Sequence, residues 1–180
     1  HRVDRRQRQM CIRDSIYISG GEPLMHEGVV SFLQYAKTLN YKIKIHTNGM
    51  FYERLKTILA QKLVDHVSLD IKNAPSAYAK TCGVEDMDLK DIEKSLDLLK
   101  QSVVPYDICV TLVDELHNQA TIEELGQWIQ GVDTVILQPF EDSETTIDHS
   151  LHRPSFEVVL KYKKIFEKYV KHVKIRGNQA

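Results

Sequence analysis

Three short motifs place glycines and polar groups directly after short β-rich runs of this sequence. The first is Ser19-Gly20-Gly21-Glu22-Pro23, which closes the run Ile16–Ser19. Two adjacent glycines remove side-chain bulk, so the backbone can approach a ligand closely. Glu22 sets a carboxylate beside them, and Pro23 fixes the turn that launches the next element. Such a turn suits gripping a small cationic group, such as the ammonium of an amino acid. A Gly-Gly turn standing alone is more often a plain strand-to-helix connection. The second motif is His46-Thr47-Asn48-Gly49, where Thr47 and Asn48 offer neutral donors and acceptors and Gly49 permits a sharp exit; alone it reads as a turn. The third is Asp70-Ile71-Lys72. Residues two apart on a strand point to one face, so Lys72 could meet a ligand carboxylate and Asp70 a hydroxyl or cation, or the two could form a structural ion pair. Gln138, before Pro139 and Phe140, could read an adenine edge or cap a loop.

The elements that must position these groups alternate along the chain. Strands are predicted at Ile16–Ser19, Lys42–His46, His66–Ile71, Tyr106–Val113 and Thr134–Gln138, with a short closing run Val173–Ile175. Helices are predicted at His26–Leu39, Phe51–Lys62, Leu89–Gln101, Ile122–Gln130 and from about Pro154 to Lys171. Thr121 with Glu124 reads as a capping box, Asp88 as an N-cap, and Gly131 as a left-handed helix end. Strands regularly separated by helices imply parallel pairing with right-handed crossovers. The strands also alternate in polarity. Ile43 and Ile45 oppose Lys42, Lys44 and His46; Val67, Leu69 and Ile71 oppose His66, Ser68, Asp70 and Lys72; Ile108, Val110 and Leu112 oppose Asp107, Cys109 and Thr111. A doubly covered parallel sheet would read as continuous apolar runs. A curled sheet with helices outside and a polar, ligand-filled interior satisfies both faces, and this chain is too short for a closed eight-fold barrel. Ligands in such folds bind at the carboxyl ends of the strands, where all three motifs lie.

Composition narrows the partners. At 180 residues with 42% hydrophobic and 27% charged residues, the chain reads as one soluble globular domain. A net charge of −1 gives no reason to expect nucleic acid or an anionic membrane surface. No apolar run approaches the roughly 20 residues of a membrane-spanning helix, and no secretory signal is present. Cys11, Cys82 and Cys109 are widely spaced and odd in number, which suits a reducing cytoplasm. They form no metal-binding cluster. Residues His1 to Ser15 hold five arginines and no apolar periodicity. Within them Met10–Ser15 (MCIRDS) resembles translated adapter sequence, the alternative being a genuine basic tail; residues 1–15 are set aside, Cys11 included, leaving residues 16–180 as the domain.

With these residues assembled, the chain from Ile16 to Gly177 resembles the radical S-adenosylmethionine (SAM) enzymes, and among them the activating proteins of anaerobic ribonucleoside-triphosphate reductases. The cues are Tyr17–Leu24 (YISGGEPL), His46–Gly49 (HTNG), Ser68–Glu85 (SLDIKNAPSAYAKTCGVE), Asp114–His117 (DELH), Leu125–Gly131 (LGQWIQG), Leu137–Phe140 (LQPF) and Ile175–Gly177 (IRG). The resemblance implies an α/β fold, a partial (β/α)6 barrel lacking its first strand and cluster loop. It implies SAM and a 4Fe–4S cluster as cofactors, the cluster's cysteines being absent from this chain. Gly20, Gly21 and Glu22, beside Pro23, would hold the methionyl amino group. His46, Thr47, Asn48, Asp70, Lys72 and Gln138 would line the rest of the SAM pocket. The implied reaction is reductive cleavage of SAM to a radical that abstracts hydrogen from a glycine of the partner reductase. A flavodoxin- or ferredoxin-type donor would supply the electron. Two departures stand out: His46 where related activators often carry Asp, and Cys109 where Arg is expected. The alternatives are another radical SAM enzyme, formate-lyase-type or small-molecule modifying, and a cluster-free protein that keeps the SAM-side pocket.

Overall fold

The protein is described by a computed structural model at residues 15–144, 146 and 148–177, and Cys11 lies outside these. Strands and helices alternate as β1 (Ser15–Ile18), α1 (Val29–Thr38), β2 (Lys42–Thr47), α2 (Tyr52–Ala60), β3 (His66–Asp70), α3 (Pro75–Thr81), α4 (Lys90–Lys100), β4 (Tyr106–Leu112), α5 (Gln119–Trp128), β5 (Thr134–Pro139), α6 (Phe156–Phe166) and β6 (His172–Ile175). The strands form a six-stranded parallel sheet in chain order. This is the α/β architecture expected from the alternation. Two compact units divide the chain. One runs through Leu69 and includes Lys90–Tyr106; the other comprises Asp70–Leu89 and the chain from Asp107 onward.

In the first unit, Ile16 pairs with Ile43 and Ile45 with Val67. That register stacks Ile43, Ile45, Val67 and Leu69 in one layer, each no more than 1% exposed. Against it, α1 buries Val29, Leu33 and Ala36, α2 buries Leu55 and Ile58, and α4 buries Ile92, Leu96 and Leu99. These spacings of three and four residues make the apolar stripe of an amphipathic helix. Tyr17, Met25, Phe32, Tyr35 and Leu39, on β1, the turn after it, α1 and its C-cap, remain exposed. In the second unit Ile108 pairs with Val135 and Val110 with Leu137, and α6 closes over them with Val159, Tyr162, Ile165 and Phe166. Gly126 of α5 lets the ring of Tyr169 lie against the helix backbone: a Cβ there would stand 2.5 Å from Tyr169 Cδ2.

Several local expectations change. The helix α5 begins three residues earlier than the periodicity suggests. Its cap is Asn118, whose side chain accepts from Thr121 N while Thr121 Oγ1 accepts from Asn118 N. Glu124 is not part of that box; it accepts from Ser76 N and Ser76 Oγ. Ser155 rather than Pro154 opens α6, which ends at Phe166. Gly131 is left-handed, with φ +89°. Pro75–Thr81 is helical, which periodicity alone does not reveal in so short a run. On the polar face, Ser68, Asp107 and Cys109 are buried. Each nonetheless has an interaction partner, as buried polar groups require.

Asp65 ties the first unit together ahead of β3. Its Oδ2 accepts from Ile43 N at 2.8 Å and from Lys37 Nζ, and its Oδ1 accepts from Lys42 Nζ at 3.1 Å. Burial alone raises this carboxyl, but hydrogen bonds from Lys37, the Ile43 amide and Lys42 outweigh it and hold the pKa at about 2. A folded pKa below the unfolded value means the carboxylate favours the native state at every pH above that unfolded value. The contribution is then lost as pH falls from about 4 through about 2. With the side chain 29% exposed, we expect about 1–2 kcal/mol. Urea titrations of wild type and Asp65→Asn should therefore differ by this amount at pH 7 and converge toward pH 2. A gap that persists at pH 2 would remove the linkage.

Candidate functional site

Gly20 ends the β1 exit at φ +110°, a conformation open to glycine and strained for other residues. A Cβ at Gly20 or Gly21 would meet nothing within 4 Å, so the two glycines border open space. Glu22 then caps a single 3-10 turn, Pro23–Met25, with its side chain accepting from Leu24 N at 2.9 Å. Arg54 of α2 holds the far end of that turn by donating to the carbonyls of Leu24 and Met25, at 2.5 and 2.6 Å.

The same carboxylate reaches the end of β2. Thr47 Oγ1 donates to Glu22 Oε1 at 2.8 Å, and Asn48 N donates to Oε2 at 2.6 Å. Thr47 Oγ1 also accepts from Gly49 N, and Asn48 Oδ1 accepts from Met50 N, an Asx turn. Gly49 sits at φ +79° with its Cβ position 2.7 Å from Leu69 Cδ1. Its carbonyl accepts from the buried Ser95 hydroxyl at 2.7 Å. Each residue of the Thr47-Asn48-Gly49 motif therefore has a structural task, and Glu22 joins that motif to the Gly-Gly turn. A carboxylate offers about four acceptor sites. Three are occupied here, leaving one. His46 is half-buried, with its Nδ1 3.0 Å from the Tyr17 hydroxyl. A cavity of about 320 Å³ opens beside the turn, lined among others by Ile18, Gly21, Glu22, Pro23 and Phe32; Thr47 and Asn48 do not line it.

In the second unit, Lys72 Nζ donates to Asp70 Oδ2 at 2.5 Å, with side chains 41% and 17% exposed. The same-face expectation for this pair holds, and in this structure each serves the other. The segment that follows is anchored by Asn73, fully buried, whose Nδ2 donates to Thr81 Oγ1 and to the Leu116 carbonyl. Gln138 on β5 is exposed. Cys82 is exposed, and burial of its sulfur, only partly countered by Lys72, pushes the thiol pKa up; a raised thiol is a poor nucleophile. Arg54, Ser95, Asn73 and His117 take part in these arrangements without having been singled out by type or spacing. Asn73 and His117 lay in quoted motifs, Arg54 and Ser95 in none.

The Radical SAM superfamily model matches residues 3–129. A protein of Methanocaldococcus jannaschii, whose name assigns it to the glycyl-radical enzyme activating enzymes, is 30% identical over 169 residues, covering 91% of this chain and 70% of the relative. A crystallised domain of a pyruvate-formate lyase-activating enzyme from Bacteroides vulgatus superposes with TM-score 0.69 at 18% identity, covering 90% of this chain and 98% of that one. SuiB of Streptococcus suis, crystallised with S-adenosylmethionine, superposes with TM-score 0.70 at 14% identity over 92% of this chain and 40% of its own. Taken unit by unit, the residues present have the chemistry SAM needs: in the first an open glycine turn and a carboxylate with an acceptor site to spare, in the second a lysine–aspartate pair. They do not fit a 4Fe–4S cluster. Among the described residues, Cys82 and Cys109 are the free cysteines and no group of three or more His, Cys, Asp or Glu is placed to hold a metal. No step through a cluster is assigned to them.

If Glu22 is the bridge, Glu22→Ala orphans three donors and should cost about 2–3 kcal/mol. Glu22→Gln, which keeps one acceptor oxygen, should cost less. Denaturant midpoints for the two variants check this, and equal midpoints to wild type would mean the bridge contributes nothing.

Proposed function

We propose that this chain, which belongs to the radical SAM superfamily, is the SAM-binding part of an enzyme that activates anaerobic ribonucleoside-triphosphate reductase by forming a glycyl radical on it. The single observation that carries the activating role is the 30% identity to the Methanocaldococcus jannaschii protein over 169 residues. The choice of reductase is supported by the Ser68–Glu85 segment and its resemblance to that group of activators.

In this reading the Gly20-Gly21 turn admits the methionyl end of SAM, and the remaining acceptor site of Glu22 receives its ammonium. Thr47 and Asn48 act by holding Glu22 in place. Lys72 is assigned to the SAM carboxylate and Asp70 to its hydroxyls, so binding has to open the ion pair between them. Lys72 is 41% exposed, and an exposed pair contributes about 1 kcal/mol or less, which a charge-assisted bond to ligand readily offsets. When bound, SAM would supply the carbon radical that removes a hydrogen atom from the partner's glycine. The chain's own residues bind and orient it.

The test is an anaerobic assay of the enzyme carrying this chain, reconstituted with iron and sulfide and given SAM and a reductant. Expected are 5′-deoxyadenosine and a glycyl-radical signal in the electron paramagnetic resonance spectrum of the anaerobic reductase. Asp70→Asn and Lys72→Met should each weaken SAM binding by about tenfold, or 1.4 kcal/mol. A radical formed on pyruvate formate-lyase instead would redirect the partner. Failure to produce the nucleoside would end the radical SAM activase reading.

A further inference from the structure

A lysine ammonium sits on a flexible stem, so its direction depends on how firmly its main chain is held. For Lys72 that hold comes from two buried side chains. The Tyr78 hydroxyl, 1% exposed, takes a hydrogen bond from the Lys72 backbone. His117, 4% exposed, brings Nε2 to 3.0 Å from the Lys72 carbonyl. On the other side of the ring, Nδ1 lies 3.1 Å from both Val113 N and the Val113 carbonyl oxygen. The Lys72 carbonyl can only accept, so its contact puts a ring proton on Nε2, and in the neutral ring Nδ1 then accepts from Val113 N. His117 is itself fixed, because the Tyr162 hydroxyl of α6 donates to its carbonyl at 3.0 Å. Burial drives the imidazole pKa down against the opposing backbone bonds to Val113 and Lys72, consistent with a neutral ring. A histidine that only filled core volume would not need to bond both the exit of β4 and the exit of β3.

We propose that His117 is a positioning residue: its Nε2–H, donated to the Lys72 carbonyl, fixes the strand exit from which the ammonium meets Asp70, and so sets how tightly the chain holds SAM. The last clause rests on the reading that Lys72 contacts SAM. Two substitutions separate the ring's two bonds. Asparagine places its amide near Nδ1 and loses the reach to Lys72, whereas glutamine keeps a donor near Nε2.

The experiment labels lysines by reductive 13C-methylation and follows Lys72 by NMR, assigned through Lys72→Arg. The Asp70→Asn spectrum marks the unpaired position. His117→Asn should move the Lys72 signal most of the way to that position, and His117→Gln should leave it near wild type, although both lower the melting temperature. Should His117→Asn not fold, Tyr162→Phe, which frees the His117 carbonyl, should shift the signal in the same direction by a smaller amount. SAM dissociation constants should rise about tenfold in His117→Asn. In a Lys72→Met background the same change should add less than twofold. A Lys72 signal unmoved in folded His117→Asn or Tyr162→Phe overturns the proposal, as does an undiminished SAM effect in the Lys72→Met background. A signal that moves as expected in a chain that binds no SAM upholds the positioning role and instead refutes the SAM reading of Lys72.

Discussion

The hydrogen-bonding demand of one carboxylate organises the first unit where its strands end. Glu22 draws an amide from its own turn, a hydroxyl from Thr47 and an amide from Asn48. The bonds span two strands, so neither loop can move without leaving buried or half-buried donors unanswered, at about 1–3 kcal/mol each. Gly20 and Gly21 are then held open by their neighbours, not by contacts of their own. Gly49 allows the return path because Leu69 leaves no space for a side chain.

The second unit solves a similar problem by the opposite division of labour. There the charged side chains answer each other, and the buried neutral groups answer the backbone. Asn73, Tyr78 and His117 bond main-chain or uncharged atoms around Lys72. Burying neutral donors and acceptors that are fully paired costs far less than burying ions. The ions can therefore stay at the margin, where a ligand can compete for them, while the frame that carries them is fixed from within.

Much of this was legible in the residues. The two-residue alternation of Lys42–Thr47 and the spacing of Ile92, Leu96 and Leu99 gave the strand faces and helix stripes, and the glycine motifs marked the turns. Capping at α5 was misjudged because Thr121 and Glu124 match a box by type, while Asn118 has the better-placed side chain. The role of Glu22 was half seen: its type suggests an anion for a ligand, but its three donors come from residues up to 26 positions away, a distance no local pattern spans. Arg54 and Ser95 act through backbone carbonyls on other elements, which leaves no mark on spacing. His117 was visible only as part of a motif, since a single histidine carries no periodicity.

The first strand is four residues long, and among the described residues it pairs along one edge only. Its ladder is too short to hold the glycine turn by itself. The turn's persistence in solution therefore depends on tethers from the Thr47 hydroxyl, the Asn48 backbone amide and the Arg54 guanidinium more than on sheet hydrogen bonds. In the hierarchy of local openings, the margin of the sheet and the ligand-gripping loop should then behave as one cooperative patch. Solvent exchange of its amides would be governed by how often the tethers let go, and a ligand seated on Glu22 would slow them all together.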